Sequence, residues 1–449
     1  MKIIIIGGVA AGAKAAAKSK RLLPDAEVHI YTQDTCVSYS SCGLPYYIAG
    51  DFEDWHKLIV RTIEEFEKSG VHIHTLNRVT KILPADKKIL VKNLETNECF
   101  FVEYDRLIIA TGSFPYKPEI KNNNLKNIFT LRTLQDGINI RETMEKSNHI
   151  TIVGGGYIAV ELIEAFVKNG KNVTVIERLA FILSVFDEEI SSLIQSFILE
   201  NSDNKVKILN DDSVSEFVGD DKVTGVVTQK GFGFETDMVI ISTGVRPVVD
   251  IAADAGIELG ITGAIKVNSR MQTNIPDIYA CGDCVEKINM ISHTPVWLPL
   301  GSTANKEGRV AAINACGGVE DFEGILNSAV LRYHVLNISM TGLTEKAAQK
   351  LGFDTVSVVI TKRDRAGYMP KVQNVTLKLV ADRRTHRVLG AQAIGCGDAD
   401  KRVNTVSVGL LSNMRVEDLL DVDLTYAPPF STSIDILISA ARILKSKLS

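Results

Sequence analysis

The sequence MKIIIIGGVAAG occupies residues 1–12, and a related sequence, ITIVGGGYIA, occupies residues 150–159. Each joins a short apolar run to a segment rich in small residues, which is typical of a strand that turns into a helix. Glycine permits the tight turn and lets the backbone approach a pyrophosphate that sits on the helix N-terminus. Two such turns predict two bound dinucleotides, and two dinucleotides imply electron transfer between them.

Length and composition restrict the class of protein. A chain of 449 residues is too long for one hydrophobic core, so two or three domains are expected. The net charge of −4 offers no basic excess for nucleic acid or an anionic membrane surface. No apolar run reaches about 18 residues, so no transmembrane helix is expected. Seven cysteines, an odd count without a secretory signal, suggest the reducing cytoplasm.

A loose internal repeat indicates the domain order. DRLIIATGSFP at residues 105–115 resembles DMVIISTGVRP at 237–247, and each follows its own glycine loop by roughly 90 to 100 residues. The second nucleotide-binding unit is therefore inserted after the first unit's exit turn. The strand-and-turn sequence TNIPDIYACGD at 273–283 then returns the chain to the first domain. The predicted limits are 1–112 with 245–325 for the first nucleotide-binding unit and 113–244 for the second.

The last part of the chain, residues 326–449, has no glycine loop and is expected to form a separate α+β domain. Thr344 is predicted to cap a helix that begins at Glu345. Strands are expected at 330–340, 355–361 and 375–380, and helices at 398–413 and 433–447.

The second loop fits the dinucleotide fingerprint, with Gly154, Gly156 and its permitted final alanine, Ala159. Glu177 ends the next predicted strand, 23 residues after Gly154. A carboxylate at that point accepts both ribose hydroxyls and repels a 2′-phosphate, which favours NADH. Arg178 follows directly and keeps NADPH open as an alternative, because an arginine accommodates that phosphate.

The first loop departs from the fingerprint. Its third position is Val9, and Thr32 stands where an acidic residue is expected at the end of the second strand. Asp283 supports a nucleotide site here despite these departures, since a carboxylate directly after a strand is placed to reach the ribityl hydroxyls of a flavin. The alternative for Asp283 is an ordinary turn residue.

Cys42 lies in SYSSCGLPYY at residues 38–47, just before a turn-like Gly-Leu-Pro segment. A helix N-terminus near it would lower the pKa of the thiol and stabilise a thiolate. The alternative is a small buried hydrophobe, the usual state of a free cysteine. Cys281 and Cys284 form a C-x-x-C pair that we interpret as incidental, because the two residues between them belong to the flavin element.

These motifs resemble those of the FAD-dependent pyridine nucleotide–disulfide oxidoreductases, over the full length of the chain. The resemblance rests on the cysteine segment, the two Thr-Gly exits, the second loop through residue 161, the 279–283 turn and LGSTANKEGR at 300–309. Within the family, the chain most resembles the single-cysteine branch, which contains coenzyme A–disulfide reductases, NADH oxidases and peroxidases, and polysulfide reductases. It implies an FAD domain, an inserted NAD(P)H domain and a C-terminal dimerisation domain.

Two features distinguish the branches of this family. Val37 and Tyr47 stand five residues either side of Cys42, so the C-x4-C pair of glutathione-reductase-like enzymes is absent. The oxidases and peroxidases carry a histidine in the first glycine loop, where this chain has Ala10. Without that imidazole, the acid that would protonate a peroxide leaving oxygen is missing. The resemblance is therefore strongest to coenzyme A–disulfide reductases.

The resemblance also implies which residues carry the chemistry. It assigns redox catalysis to Cys42 and proton donation to Tyr426 and, on a weaker match, Tyr368, which would reach the site from the partner subunit of a homodimer. The expected FAD contacts are Gly7, Gly8, Ala11, Gly12, Ser41, Ala110, Thr111, Gly112, Asp283 and Asn305. The expected NAD contacts are Gly154, Gly156, Tyr157, Ile158, Glu161, Glu177 and Gly244. The expected coenzyme A contacts are Ser38 and a basic helix face of Lys14, Lys18 and Arg21, for which a solvated face is the alternative.

The leading expectation is NADH-dependent reduction of coenzyme A disulfide, or of a related small disulfide, with FAD as cofactor. Polysulfide or persulfide reduction on the same cysteine is a second enzymatic hypothesis, and an NADH oxidase is a third, which Ala10 disfavours. An electron-transfer flavoprotein that reduces a protein carrier such as rubredoxin would not need Cys42. An interaction protein that keeps a flavin for stability would not need the second glycine loop.

Overall fold

This computed structural model describes residues 1–448. The chain begins with a parallel sheet that carries the first glycine loop. The first elements are β1 (Lys2–Ile6), α1 (Ala10–Leu22), β2 (Glu27–Tyr31), α2 (Leu44–Ile48), α3 (Ile63–Lys68), β3 (Val71–His74), β4 (Asn77–Leu83), β5 (Lys88–Asn93), β6 (Cys99–Glu103) and β7 (Arg106–Ile109). β1 pairs in parallel with both β2 and β7, and β4 to β6 form a separate antiparallel sheet. The glycine loop therefore leaves the middle strand at its carboxyl end, where nucleotides bind in such sheets.

A second parallel sheet follows. Its segment contains β8 (Ser113–Pro115), β9 (Ile128–Phe129), α4 (Leu134–Glu145), β10 (His149–Val153), α5 (Tyr157–Lys168), β11 (Asn172–Ile176), α6 (Glu188–Glu200), β12 (Val206–Leu209), β13 (Val214–Val218), β14 (Gly225–Thr228), β15 (Gly233–Glu235), β16 (Met238–Ile241) and β17 (Val245–Pro247). The sheet order is β12-β11-β10-β16-β9. β8 and β17 pair antiparallel, with Val245 opposite Pro115, so the chain enters and leaves this domain side by side. The second nucleotide domain is thus inserted into the first, as predicted.

The chain then returns to the first domain. This segment contains α7 (Asp250–Ala253), β18 (Ile278–Ala280), β19 (Lys287–Ile288), β20 (Pro295–Val296) and α8 (Gly301–Ala315). β18 pairs in parallel with β7, which completes the order β18-β7-β1-β2-β3. The returning strand was expected from residues 273–283. We propose the domain limits 1–112 with 245–325, 113–244 and 326–449.

The C-terminal domain is an antiparallel sheet covered by helices. It contains β21 (Ala329–Tyr333), β22 (Leu336–Gly342), α9 (Glu345–Lys350), β23 (Thr355–Arg363), β24 (Asn374–Asp382), β25 (Val388–Gly395), α10 (Ala399–Leu411), α11 (Val416–Leu420) and α12 (Ile436–Leu448). The single strand predicted at 330–340 is wrong, because a tight turn with His334 at φ 53° folds this run into a hairpin. The cap is confirmed, since the Thr344 hydroxyl accepts a hydrogen bond from the N–H of Ala347.

Lys378 of β24 joins the second and third domains. Its Nζ lies 3.1 Å from Asp187, 2.6 Å from Glu189 and 2.7 Å from Glu345, and only 2% of the side chain is exposed. Asp187 also accepts hydrogen bonds from the backbone N–H of Glu345 and from the Gln392 amide, at 2.9 and 2.6 Å. Burial alone would lower the pKa of Lys378, but these acidic neighbours outweigh it and raise the pKa. The lysine is therefore charged at neutral pH.

Within residues 1–448, every helix is too short or too polar to cross a membrane.

Candidate active site

The first glycine loop forms a cradle for an anion at the start of α1. Gly7 has φ 102°, and a side chain at Gly12 would collide with the carbonyl oxygen of Gly7. No side chain caps the N-terminus of α1, and its first turn holds no acidic residue. The free N–H groups and the helix dipole therefore face outward, as a pyrophosphate requires. These features fit the pyrophosphate of FAD.

The cysteine segment packs directly on this loop. The N–H of Ser38 donates to the carbonyl of Gly8 at 2.7 Å, and Ser38 has a left-handed φ of 51°. Cys42 stands in a short 3-10 turn, Ser41–Gly43, that runs into α2. A side chain at Gly301, the first residue of α8, would have its Cβ 3.8 Å from Cys42 Sγ. The thiol thus lies beside the N-terminus of α8, on a segment that contacts the first glycine loop through Ser38.

The pKa of the Cys42 thiol is raised, first by burial among protein atoms and then by the charge of Glu161. The residue is nevertheless exposed on one side, where a substrate can reach it. A hydrogen bond with the Ser41 side chain and the charge of Arg132 oppose the shift. The lowered pKa predicted from a helix N-terminus is therefore wrong for this chain, because burial and a nearby carboxylate have the larger effect.

Glu161 brings the NAD(P)H domain to this cysteine. It lies on α5, five residues after Gly156, and its Oε1 accepts a 3.5 Å hydrogen bond from the Tyr46 hydroxyl. Burial raises the pKa of Glu161 to about 7, with a smaller contribution from Glu164. The carboxyl is therefore able to hold or release a proton near neutral pH beside the thiol.

Asp283 lies where the chain leaves β18, and its carboxylate is already held by two groups. Ser113 Oγ donates to it at 3.2 Å, and an Arg132 N–H donates at 3.3 Å. Arg132 was missed in the sequence, since no spacing rule relates it to a residue 151 positions away. The arginine places a positive charge that acts on both Asp283 and Cys42.

Of the other residues expected to contact FAD, Ala110, Thr111 and Gly112 lie beside the same loop. Thr111 Oγ1 donates to the carbonyl of Val248 at 2.7 Å, and Gly112 has φ 73°. The carbonyl of Ala110 packs against Gly7, where a side chain would collide with it. Asn305 is exposed on α8, with its amide donating to the carbonyl of Gly301 at 3.0 Å.

The second loop is organised by Glu177. Its carboxylate accepts hydrogen bonds from the N–H of Gly155 at 2.6 Å and from that of Leu179 at 2.9 Å. Open space faces Gly156 and Gly244, which leaves room for a dinucleotide to approach the backbone. Tyr157 and Ile158, also expected at this site, begin α5 and are half-buried. The loop therefore fits the pyrophosphate and ribose of a nicotinamide cofactor.

The basic face predicted on α1 lies along the surface beside α8. The Cys316 thiol at the end of α8 approaches the carbonyl of Ser19 at 3.9 Å, and a Gly308 side chain would collide with Ala11. The two helices therefore run parallel, and the far end of α1 lies about 27 Å from the N-terminus of α8 by helical rise. The basic residues are Lys14 and Lys18, both half-buried, and exposed Arg21.

Both predicted tyrosines lie in the C-terminal domain. Tyr368 is 78% exposed and Tyr426 is 51% exposed. Their loops are joined by a 3.2 Å hydrogen bond from the N–H of Ala366 to the carbonyl of Pro428. The structure therefore brings the two loops together on one surface, separate in the chain from the domain that carries Cys42.

Comparison with known proteins agrees with this architecture. Residues 1–308 match the model of the pyridine nucleotide-disulphide oxidoreductases, and residues 329–437 match the dimerisation domain of the same family. The chain belongs to this family. It is thus an FAD-dependent pyridine nucleotide–disulfide oxidoreductase, and members of the family use FAD and NAD(P)H.

Its relatives differ in their reported activities. The NAD(P)H coenzyme A polysulfide/persulfide reductase of Pyrococcus horikoshii is 36% identical over 99% of this chain and 98% of its own. An NADH oxidase of Methanocaldococcus jannaschii is 32% identical, with both chains fully covered. The structure of reduced CoADR-RHD from Bacillus anthracis is 33% identical with a TM-score of 0.96, over 100% of this chain and 80% of that one. The chain is an NAD(P)H-dependent flavin disulfide oxidoreductase, and the family match alone leaves the acceptor open.

Proposed function

We propose that this enzyme reduces coenzyme A disulfide, or a closely related coenzyme A compound, with NADH through the single redox cysteine Cys42. The observation that carries the proposal is the position of Cys42, which is exposed beside the N-terminus of α8 and close enough to Glu161 for that charge to act on the thiol. A thiol there is open to an incoming substrate and has residues of both nucleotide domains near it. The absence of a histidine at Ala10 supports a disulfide acceptor over oxygen.

Bound FAD supplies a two-electron carrier between the nicotinamide and the sulfur. In the proposed cycle, a mixed disulfide between Cys42 and coenzyme A takes up two electrons, and its S–S bond breaks into the Cys42 thiolate and one coenzyme A thiolate. Cys42 then attacks the next coenzyme A disulfide, which restores the mixed disulfide and releases the second thiolate. Tyr426, with Tyr368 as the weaker match, protonates the released thiolates.

The basic face of α1 is proposed to bind the phosphates of coenzyme A. Its far end lies about 27 Å from the N-terminus of α8 by helical rise, a span that suits a long, flexible substrate whose thiol lies at Cys42. Lysine and arginine are the usual phosphate ligands. Ser38, whose backbone is bonded to the first glycine loop, is proposed to line the path between them.

Glu177 supports a preference for NADH, because its buried carboxylate at the end of the second strand of this unit is proposed to accept the ribose hydroxyls and to repel a 2′-phosphate. Arg178 limits that preference. A tenfold difference in kcat/KM corresponds to only about 1.4 kcal/mol, so one arginine contact is enough to reverse it.

The dimerisation domain supports a homodimer, in which the two exposed tyrosines of one subunit would reach the cysteine of the other. Seven free cysteines support a cytoplasmic location. Sedimentation tests the assembly, and a fully active monomer would contradict it.

The decisive experiment is Cys42→Ser assayed anaerobically with NADH against coenzyme A disulfide, polysulfide, peroxide and oxygen. NADH should still reduce the flavin of this variant while disulfide turnover disappears. Undiminished disulfide reduction would rule the mechanism out. Cys99→Ser serves as the matched control, because Cys99 is exposed on β6 in a separate sheet.

Reduction of a coenzyme A persulfide or polysulfide is the second candidate. The similarity to the Pyrococcus horikoshii reductase over nearly the whole of both chains favours it. Both candidates use Cys42 and the same coenzyme A path, so the assay panel separates them by acceptor alone. A larger kcat/KM with polysulfide than with coenzyme A disulfide would establish this second function.

A further inference from the structure

A buried ion pair holds the turn that carries Asp283. Lys287 and Glu307 are 1% and 0% exposed, and Lys287 Nζ lies 3.6 Å from Glu307 Oε1. Glu307 Oε2 accepts a 2.7 Å hydrogen bond from the N–H of Gly282, while Lys287 Nζ donates to the carbonyl of Gly282 at 3.0 Å. Glu307 and Lys287 therefore form hydrogen bonds with the backbone N–H and the carbonyl, respectively, of the same glycine.

Burying this ion pair costs desolvation free energy that an apolar pair at the same positions would not require. Removing two charges from water commonly costs as much as their attraction returns, and apolar residues of similar volume often fold as well. Glu307 Oε1 lacks a hydrogen-bond partner in the part of the chain described. Burial raises the pKa of Glu307 to about 7 despite the opposing charge of Lys287. Global stability alone is thus a poor explanation for the pair.

Gly282 lies where α1, α8 and the turn that carries Asp283 meet. Gly282 has a left-handed φ of 87°, and a side chain there would approach the Cβ of Ala11 on α1 at 2.8 Å. Glu307 lies on α8, the helix whose first residue, Gly301, stands beside Cys42. The peptide after Gly282 leads directly to Asp283. The ion pair therefore fixes the position of Asp283 relative to the glycine loop and to the helix next to the cysteine.

We propose that Lys287 and Glu307 are positioning residues for the flavin, which orient the Gly282-Asp283 turn against α8 and thereby set the affinity for FAD. The proposal rests on the assignment of this cleft to FAD. The pair acts through the backbone of Gly282, and Asp283 makes the contact to the ribityl chain.

The test compares full-length variants stripped of flavin and titrated with FAD, followed by flavin fluorescence and by visible circular dichroism. The double variant Lys287→Met/Glu307→Leu removes both charges and should fold normally by far-ultraviolet circular dichroism. Because the Gly282 peptide loses both partners, its dissociation constant for FAD should rise at least tenfold, with an altered visible spectrum. Glu307→Gln keeps an acceptor for the Gly282 N–H and should stay within about threefold of the unmodified protein.

The control Lys266→Met/Glu258→Gln removes an exposed ion pair of the same domain and should leave FAD binding unchanged. An unchanged dissociation constant and spectrum in the double variant would overturn the proposal, as would a tenfold loss in Glu307→Gln. If the double variant does not fold, Lys287→Met/Glu307→Gln replaces it in the same comparison, because it removes both charges and keeps an acceptor for the Gly282 N–H; a rise of at least threefold supports the proposal and an unchanged dissociation constant overturns it. An unmodified protein that binds no FAD would instead refute the proposed function.

Discussion

Replacing Lys378 with methionine should destabilise the protein far more than the same change at an exposed lysine. The methionine fills a similar volume but leaves Asp187, whose side chain is 4% exposed, without its cation. Breaking a buried pair by removing one partner costs about 3–5 kcal/mol. Asp187 keeps its hydrogen bonds from Gln392 and from the start of α9, so the lower end, about 3 kcal/mol, is expected.

Lys266→Met is the matched control. Lys266 contacts Glu258 at 3.0 Å, but the two side chains are 60% and 57% exposed, so the pair is worth at most about 1 kcal/mol. Urea unfolding of both variants at pH 7, followed by far-ultraviolet circular dichroism, gives the two losses under one set of conditions. Equal losses would refute the reasoning, because they would show that burial does not govern the contribution of this network.

Three further outcomes are expected. Glu161→Gln should lower the pKa of the Cys42 thiol, since the Glu161 charge helps to raise it; the pH midpoint of iodoacetamide alkylation measures this, and an unmoved midpoint contradicts it. Burial, followed by nearby imidazoles, lowers the pKa of His29 from 6.5 to about 4, so its contribution to stability is complete above pH 6.5 and is lost as the pH falls toward 4. That loss is at most about 3 kcal/mol, and urea unfolding of His29→Gln should show a flatter pH profile than the unmodified protein. Gly12→Ala should abolish FAD binding through its backbone collision, whereas Gly233→Ala, which meets open space, should bind FAD normally.

The sequence predicted most of what depends on local backbone chemistry. The glycine loops, the inserted domain, the returning strand β18 and the Thr344 cap all follow from residue types at short spacing. The hairpin at His334 was missed, because its turn contains neither glycine nor proline to interrupt a β-forming run.

Electrostatics was the harder part to predict. Arg132 and the ion pair Lys287–Glu307 depend on contacts between distant segments, which no spacing rule reports. The pKa of Cys42 was predicted in the wrong direction, since the helix N-terminus is a local feature while burial and Glu161 come from the assembled fold. A reactive cysteine is thus recognisable from its motif, but its protonation is a property of the tertiary structure.

The paired strands β8 and β17 have a consequence for how such enzymes diversify. Both chain crossings into the nicotinamide domain lie in one narrow ribbon, with neighbouring strands about 5 Å apart. Recombination at two adjacent points can therefore replace the whole unit with two backbone joins, provided that the incoming domain matches the packing against α2 and the contacts with Lys378. The domain that selects the coenzyme can therefore be exchanged as one unit. Chimeras joined at residues 113–115 and 245–247 are a direct way to transfer it between enzymes.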